Sequence, residues 1–344
     1  MKEIHIGERL VGPGHPVFII AEIGYNYNTI SEARKTVDAA AACGVDAVKF
    51  QTFRAETIVT RDIEFPPEAG GGNQFDEFKQ YELSAEDHKE LFLYARDNGL
   101  IPFSTPSHST DLPLLEKLDA EIYKVGADDL TNIPFQTDVA RLGKPMFIST
   151  GMGYLSEVAE TVEAIHAAGN DQLVVMHCLS NYPIHDLSEL NLRTLQTMRQ
   201  SLGVIIGFSD HTTTLSAPAA AVALGALVYE RHFTLDKKIP APDCALSADP
   251  AEMKAIVSMI RETEAMMGNG IKRPASSEMD MRKKTRKSLV ANRSLKKGDR
   301  LAPENVIIKR PGHGIDPRQL SIALGRRTAQ DIPADTVITW EMIQ

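Results

Sequence analysis

The stretch SEARKTVDAAAACGVDAVKFQ (residues 31–51) decides the fold. Residues 31–43 carry apolar side chains at helical spacing, and Gly44 follows where a helix can end in the left-handed conformation. Residues 46–51, DAVKFQ, then form a short apolar run of the kind that builds a strand. The same alternation recurs along the chain. Strands are expected over residues 17–22, 46–51, 101–105, 121–125, 145–150, 173–178, 204–209 and 227–233. Helices are expected over 31–43, 85–98, 155–168, 190–200 and 213–224, with Gly99 and Gly225 again at helix ends. Eight strand-then-helix units predict a parallel sheet, and eight is the number that closes into a barrel. The strands are almost uninterrupted apolar runs, as coverage on both faces requires. An open doubly wound sheet is the rival, but no GxGxxG follows the first strand. The expected fold class is therefore α/β, a (β/α)8 TIM barrel.

The flanks extend this frame. Residues 1–16 have the makings of a short hairpin that plugs the barrel floor. The unit between the second and third strands is overlong and contains EFPPEAGGGNQFDEF (residues 64–78). No GK[ST] follows its glycine triplet and no helix is expected to start there, so it reads as a mobile loop over the barrel mouth. After Met267 the pattern changes. GNGIKRPASSEMDMRKKTRKS (268–288) is polar and basic without apolar periodicity, and residues 289–344 hold short β-like runs between KKGD, RPGHG and DIPADT turns. The expected division is a barrel over 1–270, a linker over 271–287 and a small β-rich domain over 288–344.

Composition narrows the function. With 344 residues and 43% hydrophobic content, the chain can bury a large core and a second domain. A net charge of −9 argues against general affinity for nucleic acid or acidic membranes, although a few convergent Lys and Arg side chains can still make one pocket positive. Cys43, Cys178 and Cys244 have neither disulfide-framework nor zinc spacing, which suggests a reducing compartment. The opening MKEIHIGERL lacks the apolar run of a signal peptide, and no stretch of about 18 apolar residues marks a membrane span. A cytoplasmic enzyme is expected.

In a barrel of this type the chemistry sits at the carboxyl ends of the strands. Those positions are Glu22; Lys49 and Gln51; Thr105; Lys124; Ser149 and Thr150; His177; Ser209, Asp210 and His211; and Glu230, Arg231 and His232. Lys49 and Lys124 lie in apolar contexts (AVKFQ and IYKVG) and need an anionic partner, either Glu22 or a bound phosphate. His211 and His232 end adjacent strands, so their rings are expected to face one pocket and suit a divalent transition metal completed by carboxylate or water. His177 reads as structural. Glu22 is suited to hold a proton or a substrate hydroxyl. No GxSxG elbow or cysteine–histidine nucleophile competes.

At these residues the chain resembles the sialic acid synthase family over nearly its full length. The matching stretches are AEIGYNYN (21–28), ACGVDAVKFQTF (42–53), FSTPSHS (103–109), YKVGADDLTN (123–132), ISTGM (148–152), HCLSNYP (177–183), GFSDHT (207–212) and ERHFTLD (230–236). The segment KKGDRLAPENVIIKRPGHGI (296–315) is similar to the family's antifreeze-like (SAF) domain. The resemblance implies a metal-dependent condensation of phosphoenolpyruvate with an N-acylated mannosamine-type sugar, giving a nine-carbon 2-keto-3-deoxy acid and phosphate. It implies that His211 and His232 hold Mn²⁺, or Mg²⁺ in its place. Lys49, Thr105, Lys124, Ser149, Ser180 and Ser209 would cradle phosphoenolpyruvate, with Glu22, Lys49 and Lys124 as the catalytic groups. Tyr182 and Asp243 would contact the sugar, and Arg310 would enter the partner's pocket in a domain-swapped homodimer. Four departures from the family pattern are expected to border the sugar pocket: Tyr27-Asn28-Thr29 where His-Asn-Gly is frequent, Ala127 for Ser, Ala241 for Gly and Cys244 for His. N-acetylneuraminate, legionaminate and pseudaminate precursors all remain open as substrates. So do another phosphoenolpyruvate-using sugar-acid synthase and, from a different class, a non-catalytic sugar-binding protein.

Overall fold

The computed structural model describes residues 3–65, 71–239, 241 and 243–344, in two compact units, Met1–Gly268 and Asn269–Gln344. The first opens with a hairpin, β1 (Ile4–Ile6) and β2 (Arg9–Val11), paired antiparallel with Ile4 opposite Val11. Its turn uses Gly7 at φ 55°, where an added Cβ would also lie 2.5 Å from Glu121 Oε2.

Eight parallel strands follow: β3 (Phe18–Gly24), β4 (Ala47–Thr52), β5 (Ile101–Pro106), β6 (Tyr123–Val125), β7 (Met146–Ser149), β8 (Leu173–Cys178), β9 (Ile205–Asp210) and β10 (Val228–His232). They close into a barrel in chain order, because β10 returns to pair with β3 with Val228 opposite Phe18. Helices cover the outside. The helix of the deciding stretch, Ile30–Cys43, starts where the Thr29 side chain accepts from the Glu32 amide and stops at Gly44 with φ 82°.

Strand pleating sorts the side chains by depth and by face. Ile19, Ala21 and Ile23 belong to the core between strands and helices, while Phe18 and Ile20 belong to a separate cluster inside the barrel. That inner cluster also holds Ala47, Phe103, Ile122, Phe147, Val174, Met176, Ile205 and Val228, together with Ile4, Ile6 and Val11 of the hairpin. The hairpin therefore closes the amino-terminal end of the barrel with apolar side chains. Two residues further along each strand, the same inward face turns polar.

Several boundaries differ from the sequence expectation. A helix does start in the overlong unit: Gln74–Tyr81, capped by the Asn73 side chain accepting from the Asp76 amide. Residues 66–70 of the expected mobile loop lie outside the described residues. The helix expected over 190–200 runs Thr194–Leu202, because Asp186 caps a separate short turn, Leu187–Leu190, and Asn191 breaks the path at φ 40°. The one expected over 213–224 runs Ser216–Ala223, since the hydroxyls of Thr212 and Thr214 accept from the amides of Thr214 and Ser216 and delay its start.

In the second unit β11 (Ser288–Ala291) pairs antiparallel with β12 (Val306–Lys309) over a small core that includes Leu289, Leu295, Leu301, Ile315, Ile332 and Ile338. The segment read as a plain linker contains a helix, Met279–Thr285, and Gly312 donates to the Lys283 carbonyl at 2.7 Å. This helix buries no apolar stripe. Asp280 in its first turn and Arg282, Lys283 and Lys284 in its last complement the helix dipole instead. Among the described residues no helix is long and apolar enough to cross a membrane.

Candidate active site

The polar ends of the inward faces converge on one cavity of ≈ 360 Å³ at the carboxyl end of the barrel. Ile20 is followed inward by Glu22, Ala47 by Lys49 and Gln51, Phe103 by Thr105, Ile122 by Lys124, Phe147 by Ser149, Met176 by Cys178, and Val228 by Glu230 and His232. Ser209 and His211 follow Gly207 in the same parity and also line it. Ser180, Tyr182 and Asp243 come from the loops after β8 and β10.

The charged floor is tightly paired. Lys49 Nζ lies 2.6 Å from Glu22 Oε2, 3.0 Å from Thr105 Oγ1 and 3.9 Å from Glu230 Oε1. Lys124 Nζ lies 3.1 Å from Glu230 Oε1, which also accepts from Ser209 Oγ at 3.2 Å. Gln51 Nε2 donates to Glu22 Oε1 at 3.1 Å. Both lysines thus have carboxylate partners, one of them the Glu22 that the sequence offered and the other Glu230. Burial pushes the Glu22 carboxyl up to about 7 against the opposing pull of the Lys49 ammonium. Burial alone would raise Glu230 as well, but the ammoniums of Lys124 and Lys49 hold it below the usual carboxylate range. Burial depresses Lys49, and the carboxylates of Glu22 and Glu230 outweigh it and hold the amine above its usual value.

His211 and His232 face each other across the ends of β9 and β10 with ring centroids 5.3 Å apart. Tyr182 covers them, its ring 4.2 Å from His211 and 5.9 Å from His232. His211 Nδ1 donates to the Leu179 carbonyl at 2.6 Å, which leaves Nε2 with a free lone pair. His232 Nδ1 is buried without a hydrogen bond and lies 3.5 Å from Asp243 Oδ2. Burial holds both imidazoles neutral, His211 down to about 4 and His232 well below its usual range, and it pushes Asp243 up to about 6. Two neutral imidazoles, one oriented by a backbone carbonyl, fit a divalent metal. Among the described residues no group of three or more His, Cys, Asp or Glu side chains is placed to hold a metal ion.

Not every strand-end residue belongs here. His177 has the opposite parity and bonds the Leu190 carbonyl at 2.8 Å, in keeping with its structural reading. Asp210 and Arg231 pair with each other at 3.2 Å, and Asp210 accepts from the Tyr229 hydroxyl at 2.8 Å. Of the departures expected to border the pocket, Ala127 lines it. Thr29 is a helix cap, Cys244 is fully buried against Thr234 at 3.3 Å, and Tyr27 is buried in the outer core. Arg310 is exposed in the second unit. The cavity also holds Glu230 and Gln51, which the strand-end reading named without a role, and it gathers residues that sequence reasoning passed over: Cys178, Tyr25, Asp128 and Asp129, and Ile58 and Phe78 from the excursion after β4. Strand parity marks Glu230, Gln51 and Cys178; nothing in the sequence marks Ile58 and Phe78.

The chain is similar to known proteins over nearly its whole length. Residues 36–272 match the NeuB family and residues 286–344 match the SAF domain. An uncharacterized protein of Methanocaldococcus jannaschii is 40% identical over 99% of this chain and 98% of its own length. N,N′-diacetyllegionaminic acid synthase of Legionella pneumophila is 38% identical over 97% of this chain and 96% of its own. Among solved structures, N-acetylneuraminic acid synthetase of Leptospira borgpetersenii superposes with a TM-score of 0.75 at 28% identity, covering 81% of this chain and 95% of the other. The chain belongs to the NeuB family of enzymes and carries a SAF domain after its barrel in the sequence.

Proposed function

We propose that this enzyme condenses phosphoenolpyruvate with an N-acylated mannosamine-type sugar to give a nonulosonate and phosphate. The observation that carries the reading is the convergence, on one cavity, of two buried lysines and four hydroxyl side chains beside a facing histidine pair. Lys49, Lys124, Thr105, Ser149, Ser180 and Ser209 supply donors for a phosphate and a carboxylate, and Glu22 and Glu230 are the carboxylates that pair with the lysines. His211 and His232 would hold a divalent metal, Mn²⁺ or Mg²⁺, whose chemistry there is polarisation of the open-chain sugar's carbonyl oxygen.

The bond that forms joins the methylene carbon of phosphoenolpyruvate to the sugar carbonyl carbon. Water adds at the carbon bearing the phosphate, and phosphate leaves, so the 2-keto acid is produced without an oxidant or reductant. Glu22, fixed between Lys49 and Gln51, is the group set to hand a proton to or from water at the reacting carbons. Tyr182 and Asp243 orient the sugar. The active form is read as a domain-swapped homodimer in which Arg310 reaches the partner's sugar. A reaction fed by phosphoenolpyruvate belongs in the cytoplasm.

The test is phosphate release from phosphoenolpyruvate with Mn²⁺ across a panel of acylated and plain hexoses, with product masses determined. Release is expected with an acylated mannosamine-type sugar only, and His211→Ala is expected to abolish it while leaving the barrel folded. Release with plain hexoses alone would overturn the acylated-sugar reading, and full activity of His211→Ala would overturn the metal assignment.

A further inference from the structure

The mouth of the cavity is chemically divided. On one rim, Asp128 and Asp129 follow β6 and offer acceptors for hydroxyl hydrogens. The other rim is apolar, formed by Ile58 and Phe78 from the excursion after β4 together with Tyr25 from the loop after β3. This wall is held in place by an aromatic ladder. Tyr25 stacks on Tyr81 at 5.0 Å and meets Phe53 edge-on at 6.2 Å. Phe53 meets Phe78 edge-on at 5.5 Å, and Phe78 packs on Phe65 at 6.2 Å. Phe53 is buried, whereas Phe78 keeps part of its surface open and lines the cavity. An aromatic side chain fixed by its neighbours, with a face still open, binds apolar groups at little ordering cost.

Barrel order places the wall beside β3 and β4; of the anion donors on the strands Lys49 shares β4 with it, while Thr105, Lys124, Ser149 and Ser209 come from β5, β6, β7 and β9. The anion donors and the histidines serve the reacting ends of the two substrates. The wall faces what is left, the part of the sugar remote from its carbonyl. Among the relatives, one is named for a diacetylated product and another for a product with a single acetyl group.

We propose that Phe78, with Ile58 and Tyr25, determines acceptor specificity by receiving the second acyl group of a di-N-acylated hexose. This chain then prefers a diacylated over a monoacylated acceptor. The inference rests on the reading of the cavity as a site for phosphoenolpyruvate and a sugar.

Calorimetric titration of the full-length protein, with Mn²⁺ present and phosphoenolpyruvate withheld so that no turnover occurs, compares a 2,4-diacetamidohexose with 2-acetamido-2-deoxymannose. Wild type is expected to bind the diacylated sugar about tenfold more tightly or better, the discrimination that a few apolar carbons give. Phe78→Asn and Ile58→Ser are each expected to weaken binding of the diacylated sugar far more than that of the monoacylated one and so remove most of that difference, and Phe78→Leu to keep it. Equal affinity of wild type for both sugars overturns the proposal. So does an equal loss for both sugars in both polar variants, with folding checked by circular dichroism. Phosphate release is followed with the same sugars. Discriminating binding without release sinks the condensation reading and leaves the wall; release without discrimination does the reverse.

Discussion

At the scale of single residues, the decisive rule is parity. Reading strand ends alone put Asp210 and Arg231 beside Ser209, His211, Glu230 and His232, and set only His177 apart as structural. The pleat separates them: residues two apart share a face, so an inward Val228 forces Glu230 and His232 inward and Arg231 outward. Glu230 was therefore legible in the sequence as the second carboxylate of the floor, yet a glutamate next to an arginine reads first as that arginine's partner. In the fold it is bonded to Lys124 and Ser209, both buried. Glu230→Ala leaves the Lys124 ammonium enclosed without its closest carboxylate, and the expected cost is about 3–5 kcal/mol of barrel stability. Urea unfolding followed by circular dichroism measures it. The chain's single tryptophan, Trp340, reports separately on the second unit. An unchanged midpoint would mean that the lysine finds another counter-charge.

At the scale of elements, the strands were legible because both of their faces are covered and their sequences are accordingly apolar. The helix starts at Ile30, Ala85 and Leu155 were legible too, but those at Gln74, Thr194 and Ser216 were not. Asn73, Asp186, Thr212 and Thr214 use their own side chains to satisfy backbone amides, and such local bonds decide a boundary without any change in hydrophobic period. The excursion after β4 was read as a loop for the same reason, although its helix brings Phe78 to the cavity. Within the barrel, close packing is sharpest at Gly207, where an added Cβ would lie 3.0 Å from Val228 Cβ and 3.1 Å from Met176 Cγ. Gly207→Ala is expected to destabilise the barrel by about 1–3 kcal/mol through overpacking. Denaturant midpoints measure this; a neutral result would show that β9 and β10 can part without penalty.

At the scale of the whole molecule, the composition changes after Met267 and the second unit runs from Asn269, with a core of short β segments of its own. The basic run before it concealed a helix because charge complementarity, not an apolar stripe, supports that helix. The working assembly is a matter for kinetics. Arg310→Ala is expected to raise KM for the sugar about tenfold or more, as loss of a charged contact to substrate does, with KM for phosphoenolpyruvate little changed. Unchanged sugar kinetics would remove Arg310 from the site.

Barrel closure also sets a timetable. Val228 pairs with Phe18, 210 positions earlier in the chain. A ribosome adding about 5–20 residues each second needs roughly 10–40 s to cover that distance. For that interval the first barrel strand is a bare edge, and the hairpin beneath it has only part of the apolar floor to rest on. A nascent chain of this protein is therefore most vulnerable to mispairing, and most in need of chaperone cover, until its last barrel strand has left the exit tunnel.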